Sequence, residues 1–160
     1  MNRRRLLAYS ALPALALGWA WRPSQATTFE ITKSDEAWRT LLTKEQYSVL
    51  REEDTERPGT SALLAEHRKG TYSCAACDLA LYSSGMKYES GTGWPSFFDV
   101  LPGGVGKTED NTLFSTRTEV HCRRCGGHLG HVFDDGPEPT GLRYCMNGVA
   151  LKFHPEQASS

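Results

Sequence analysis

The sequence lacks a basic excess, a membrane-length apolar run and a sixth cysteine, and each absence removes a class of protein. Lys and Arg number 18 against 19 Asp and Glu. No cationic surplus exists to track a phosphate backbone, so nucleic acid is excluded as a partner. The uncharged run from Leu6 to Ala20 contains Pro13 and Gly18. It falls short of the ~20 residues a spanning helix needs. No internal repeat is present beyond two Cys-x-x-Cys pairs, and no low-complexity tract. Those pairs take four of the five cysteines and leave one over.

The N-terminus has the order of a bacterial export signal. Arg3, Arg4 and Arg5 precede the apolar run, and the small residues Ser24 and Ala26 follow it. The adjacent arginines before Leu6 and Leu7 resemble a twin-arginine signal. We therefore expect a signal over 1–26, one domain over 27–160 and a periplasmic location. An uncleaved membrane anchor is the alternative. Loss of 1–26 removes four arginines and leaves a net charge of about −5, again unsuited to phosphate.

Within 27–160, residues 27–32 read as a β-prone lead-in. Ser34 caps a predicted helix from Asp35 to Leu42. Thr43, with Gln46 three residues on, forms a capping box for a second helix to about Glu53. A turn follows at 56–59, and 62–67 is ambiguous between helix and strand. From Gly70 the texture becomes short β-type runs split by Gly, Pro, Asn and Asp. Strands are expected at 71–73, 79–82, 112–120 and 142–153, with 102–111 an exposed loop. The chain thus reads as small helices leading into a mostly antiparallel β domain.

Cys74 and Cys77 form one pair, and Cys122 and Cys125 the other. Two residues between ligands let a tight turn aim both sulfurs at one ion, and two such turns make a closed tetrahedral shell of the kind zinc favours. With no open position, such a zinc is structural. Two disulfides are the alternative in an exported chain.

That assignment leaves Cys145. Strand periodicity puts Arg143, Cys145 and Asn147 on one face, and Tyr144 and Met146 on the other. A cation beside a sulfur favours the nucleophilic thiolate. The same face continues through Val149, Leu151 and Phe153 if Gly148 keeps register. A buried cysteine acting as a small hydrophobe is the bland alternative. His128 and His131, three apart in a glycine-rich segment that reads as a loop, suit proton transfer near neutral pH, or are simply polar surface.

Together these segments resemble the methionine-R-sulfoxide reductase B family: CAAC at 74–77, SGTGWPSF at 90–97, CRRCGGHLGHVFDDG at 122–136 and RYCMNGVALKF at 143–153. The resemblance implies a mainly β fold of two antiparallel sheets with small N-terminal helices. It implies one structural Zn²⁺ on Cys74, Cys77, Cys122 and Cys125, and Cys145 as nucleophile. Trp94 would receive the substrate's S-methyl group and Phe133 would line the pocket. His128, His131 and Asn147 would bind or protonate the sulfoxide oxygen, with Arg143 and Asp135 in support. A Cys145 thiolate and a His131 imidazolium would make the attacking pair. The implied reaction is thiol-dependent reduction of methionine (R)-sulfoxide in peptides or proteins. In many family members a recycling cysteine stands where this chain has Thr92. An external thiol, a thioredoxin-like protein or a small molecule, is therefore expected to resolve the Cys145 sulfenic acid. A monomer is expected. The rival readings are a non-catalytic zinc-binding module, a thiol peroxidase and a purely structural exported zinc domain.

Overall fold

The computed structural model describes residues 28–111 and 116–157. The expected signal at 1–26 lies outside the described residues, as do the first four residues of the strand expected at 112–120. No helix among the described residues is long and apolar enough to cross a membrane.

Two short helices come first, α1 (Asp35–Leu41) and α2 (Lys44–Glu52). Each is too short to be stable alone, so caps and burial hold them. The Ser34 hydroxyl accepts from the Ala37 amide at 3.3 Å. The capping box forms as expected: Thr43 Oγ1 accepts from the Gln46 amide, and Gln46 Oε1 accepts from the Thr43 amide. Trp38 of α1 and Tyr47, Val49 and Leu50 of α2 are buried in the core. The ambiguous stretch resolves into a 3₁₀ turn at Ala62–Ala65. The β-prone lead-in forms no strand at 28–32.

Among the described residues nine strands follow: β1 (Gly70–Cys74), β2 (Ala80–Ser83), β3 (Lys87–Tyr88), β4 (Ser96–Phe97), β5 (Val105–Asp110), β6 (Arg117–Cys122), β7 (His128–Phe133), β8 (Arg143–Met146) and β9 (Leu151–Pro155). They form two sheets, one in the order β2-β1-β9 and the other β3-β4-β8-β7-β6-β5. All pairings are antiparallel. The fold is thus mainly β, with two antiparallel sheets and small N-terminal helices. The sheets meet through aromatics: Tyr82 stacks on Phe97 at 4.2 Å, and Tyr72 meets the same ring edge-on at 5.0 Å. Tyr144 and Met146 point into this core, and the Tyr82 hydroxyl donates to Met146 Sδ at 2.9 Å.

Three local expectations are corrected. The supposed loop at 102–111 contains β5, an edge strand bonded only to β6. Its middle side chains are exposed, so it needs no apolar alternation and reads as loop. The glycine-rich histidine segment is the inner strand β7, not a loop. A Cβ on Gly130 (φ +152°) would collide with the carbonyl oxygen of Cys145, so glycine marks close strand packing there. Finally, 142–153 is not one strand. Gly148 breaks it into a 3₁₀ turn, Gly148–Ala150, and β9 joins the other sheet. The Glu56 carboxylate causes the break, accepting from the Gly148 amide at 2.6 Å and the Val149 amide at 3.0 Å. Val149, Leu151 and Phe153 therefore do not continue the Cys145 face.

Candidate active site

A single cross-strand row organises the second sheet. Thr108 pairs with Glu119, Glu119 with His131, His131 with Cys145, and Cys145 with Ser96. Residues directly opposite in an antiparallel sheet share a face, so all five side chains emerge together. His128 should point away, because three residues along a strand reverse the side. A bulge corrects this: Val120 pairs with Gly130 but His121 pairs with His128. The extra residue on β7 returns His128 to the face of His131, with ring centroids 5.4 Å apart.

Cys145 opens into a cavity of about 160 Å³ lined by Trp94, His131, Phe133 and Asn147, with Thr55, Arg117 and Gly130. The structure therefore brings together five of the eight non-metal residues singled out in the sequence. His128 lines an adjoining cavity of about 250 Å³ that shares His131, Arg117 and Thr55 with the first. Arg143 and Asp135 stand behind the wall. The guanidinium forks onto the Asp135 carboxylate at 2.8 and 2.7 Å and lies 4.4 Å over the Phe133 ring. That fork lowers the Asp135 pKa and raises that of Arg143.

The supports of these side chains are less legible in the sequence. Glu56, in the irregular segment after α2, accepts the Trp94 indole N–H on its backbone carbonyl at 3.0 Å. Its own amide donates to Asn147 Oδ1 at 3.0 Å. One residue therefore seats both Trp94 and Asn147 as well as the turn after Cys145. Asn147 also donates from Nδ2 to the Leu129 carbonyl at 3.1 Å, leaving one amide hydrogen for a ligand. His131 Nε2 lies 2.8 Å from Asp110 Oδ2, which Arg117 also holds at 2.7 Å. Burial lowers the His131 pKa from its usual 6.5 against the opposing pull of Asp110.

Thr92 stands at the sulfur itself. Its Oγ1 is 3.8 Å from Cys145 Sγ and 2.9 Å from Ser90 Oγ, which lies 2.7 Å from Ser96 Oγ. A chain of hydroxyls thus leads away from the sulfur.

The other four cysteines gather elsewhere. Their sulfurs all lie within 4.8 Å of one another. Cys74 and Cys125 are 3.7 Å apart, and Cys77 and Cys122 3.5 Å. A tetrahedral ion with bonds of ~2.3 Å sets sulfurs ~3.8 Å apart, so the four cysteines fit one metal ion. No disulfide joins them. Each pair closes a similar turn: the Asp78 amide donates to the Cys74 carbonyl and the Gly126 amide to the Cys122 carbonyl, both at 2.8 Å. Asp78 and Gly126 both take the left-handed conformation, φ +60° and +69°. Gly126 has a further reason, since a Cβ there would strike the Phe29 ring. Cys74 ends β1 and Cys122 ends β6, so an ion would join the two sheets.

Comparison with known proteins agrees with this geometry. The SelR domain matches residues 42–155. "Peptide methionine sulfoxide reductase MsrB" of Methanosarcina mazei is 57% identical over 129 residues, covering 80% of this chain and 92% of that protein. The protein of the same name from Leptospira interrogans is 56% identical over 80% of this chain and 98% of its own length. That of Agrobacterium fabrum is 53% identical over 82% and 98%. On the matched span and these identities, the chain belongs to the SelR family, that of methionine-R-sulfoxide reductase B.

Proposed function

We propose that this chain reduces peptide methionine (R)-sulfoxide to methionine, with Cys145 as the nucleophile. The observation that carries the reading is the single cavity holding Cys145, His131, Trp94, Phe133 and Asn147. A sulfoxide sulfur accepts a nucleophile only as its oxygen gains a proton. Proton transfer by a positioned side chain contributes ~10²–10⁴ in rate. Cys145 attacks sulfur, the sulfur–oxygen bond breaks, and the oxygen leaves on Cys145 as a sulfenic acid. The thiol's proton ends on that oxygen, and methionine departs. His128 and His131 carry the proton, and the free Asn147 hydrogen steadies the oxygen. The Trp94 face receives the S-methyl group. Arg143, held by Asp135, braces Phe133.

An external thiol then attacks the sulfenic sulfur, releasing water and forming a mixed disulfide that a second thiol resolves. Thr92 beside Cys145 supports this, as does the gathering of every other cysteine into the cluster. Cys74, Cys77, Cys122 and Cys125 hold zinc, which supplies no reaction chemistry and ties the sheets. Residues 1–26 direct export, so the substrates are oxidised envelope proteins. A periplasmic fraction lacking the processed protein would remove that part of the reading.

The test is turnover of the two separated methionine sulfoxide epimers with dithiothreitol, for wild type and Cys145→Ser. Reduction of the R epimer alone, abolished by the substitution, is expected. Turnover of neither epimer by folded, metal-loaded protein would overturn the reading.

A further inference from the structure

Behind His128 stands a carboxylate for which the reaction above has no use. Glu119 Oε1 lies 2.8 Å from His128 Nδ1. The other imidazole nitrogen, Nε2, is buried and has no hydrogen-bond partner among the described residues. A histidine serving only the core has both nitrogens paired, since buried polar atoms are rarely left without partners. Here one nitrogen is anchored and the other is spare. The ring, 3% exposed, lines the cavity adjoining that of Cys145.

We propose that Glu119 is a positioning residue: its carboxylate holds the proton of His128 on Nδ1 and thereby leaves the Nε2 lone pair unspent at the wall of the cavity that adjoins that of Cys145. The inference rests on the reductase reading and adds to it the atom through which His128 works. The nearby His121 imidazole, 3.9 Å away, and then the hydrogen bond to His128 hold the Glu119 pKa at about 2. The carboxylate is therefore ionised at neutral pH and can only accept. An imidazole with a single N–H then carries that hydrogen on Nδ1. The other charged or titratable groups around the ring are His121, His131 and Arg117 on the inner strands, Glu109 and Asp110 on the edge strand β5, and Glu53 after α2. In the reaction, the Cys145 thiol proton rests on Nε2 and is returned to the oxygen that becomes the sulfenic hydroxyl. Atoms balance with no reactant beyond thiol and sulfoxide.

Glu119→Gln tests this, because the amide keeps the size and a hydrogen bond but no longer demands a proton on Nδ1. Nitrogen-15 NMR of the substrate-free wild type should report His128 as the Nδ1–H tautomer, and the variant should lose that preference. The kcat for the R epimer should fall by about tenfold to a hundredfold, with KM changed less than about twofold. Glu119→Asp, which retains the carboxylate, should recover part of kcat and the tautomer. A wild-type His128 protonated on Nε2, or a folded Glu119→Gln with unchanged kcat, would overturn the proposal. Wild type inactive on both epimers would instead defeat the reductase reading, and the tautomer measurement stands apart from that result.

Discussion

Five cysteines of one chain occupy two environments, and the neighbours alone account for the difference. In the cluster each sulfur is surrounded by three others, within 4.8 Å. Cys74, Cys122 and Cys125 are buried, and the short turns that carry them are closed by backbone bonds. Nothing there is left to bind a substrate. Cys145 instead has a hydroxyl at 3.8 Å, an imidazole directly across the strand and an open cavity in front. On the proposed reading the closed set of sulfurs is a joint, and the sulfur with polar neighbours and free space is the reagent.

Cys145→Ser separates the two environments most sharply. It should reduce turnover to background while leaving metal content and melting temperature nearly unchanged, since it alters one atom in a wet cavity. Metal analysis and a thermal melt on the same sample check this. A large loss of metal would mean that the two sites are not independent. Cys122→Ser should do the reverse, acting first on the fold. Loss of a ligand from a structural site removes the link between the sheets, and we expect a melting temperature lower by more than ~10 °C. Activity would then disappear with the fold. Unaltered melting of metal-free Cys122→Ser would deny the cluster its role as a joint.

How far these sites can be read from sequence follows from the distance over which each is built. The Cys-x-x-Cys turns are local, and their spacing encodes their geometry. The Cys145 face is also local, because strand alternation assigns Arg143 and Cys145 to one side and Tyr144 and Met146 to the other. The cross-strand supports are not local. Glu119 meets His128 only through a bulge in β7, and Glu56 reaches Gly148 from 92 positions away in sequence. β5 is hidden for another reason: an edge strand with solvated side chains carries no apolar period. Gly148 is a local sign that the strand could break there, but the Glu56 carboxylate that settles it lies far away in sequence.

Two smaller changes sharpen the comparison on the Cys145 side. Thr92→Cys should place a second sulfur beside the first and move Cys145 toward the closed kind of site. After stoichiometric sulfoxide, mass spectrometry should find a disulfide between the introduced thiol and Cys145 in the variant, and a sulfenic acid or its external-thiol adduct in wild type. No disulfide in an active variant would mean that the hydroxyl's position does not carry over to sulfur. Gly130→Ala should cost about 1–3 kcal/mol, because the added methyl meets the Cys145 carbonyl and the strands must part. Denaturant titration measures it. An unchanged midpoint would show that β7 and β8 can separate freely.

The smallest expected effect concerns acid. Glu119 has its pKa lowered from 4.5 to about 2 by the neighbouring His121 imidazole and its hydrogen bond to His128. A carboxyl group depressed in the folded state stabilises the fold above its unfolded value, and that contribution is lost as pH falls through the folded value. The window therefore runs from about 4.5 down to about 2. Thiolate ligands also take up protons in acid and release metal, so wild type alone mixes the two sites. The difference between wild type and Glu119→Gln isolates the carboxylate, because the cluster is common to both. The gap in urea midpoint should hold steady between about pH 6 and 5 and narrow as pH falls from about 4.5 toward 2. A gap that stays constant to about pH 3 would mean that Glu119 gains nothing from its histidines on folding. The acid sensitivity of the molecule would then belong to the sulfur cluster.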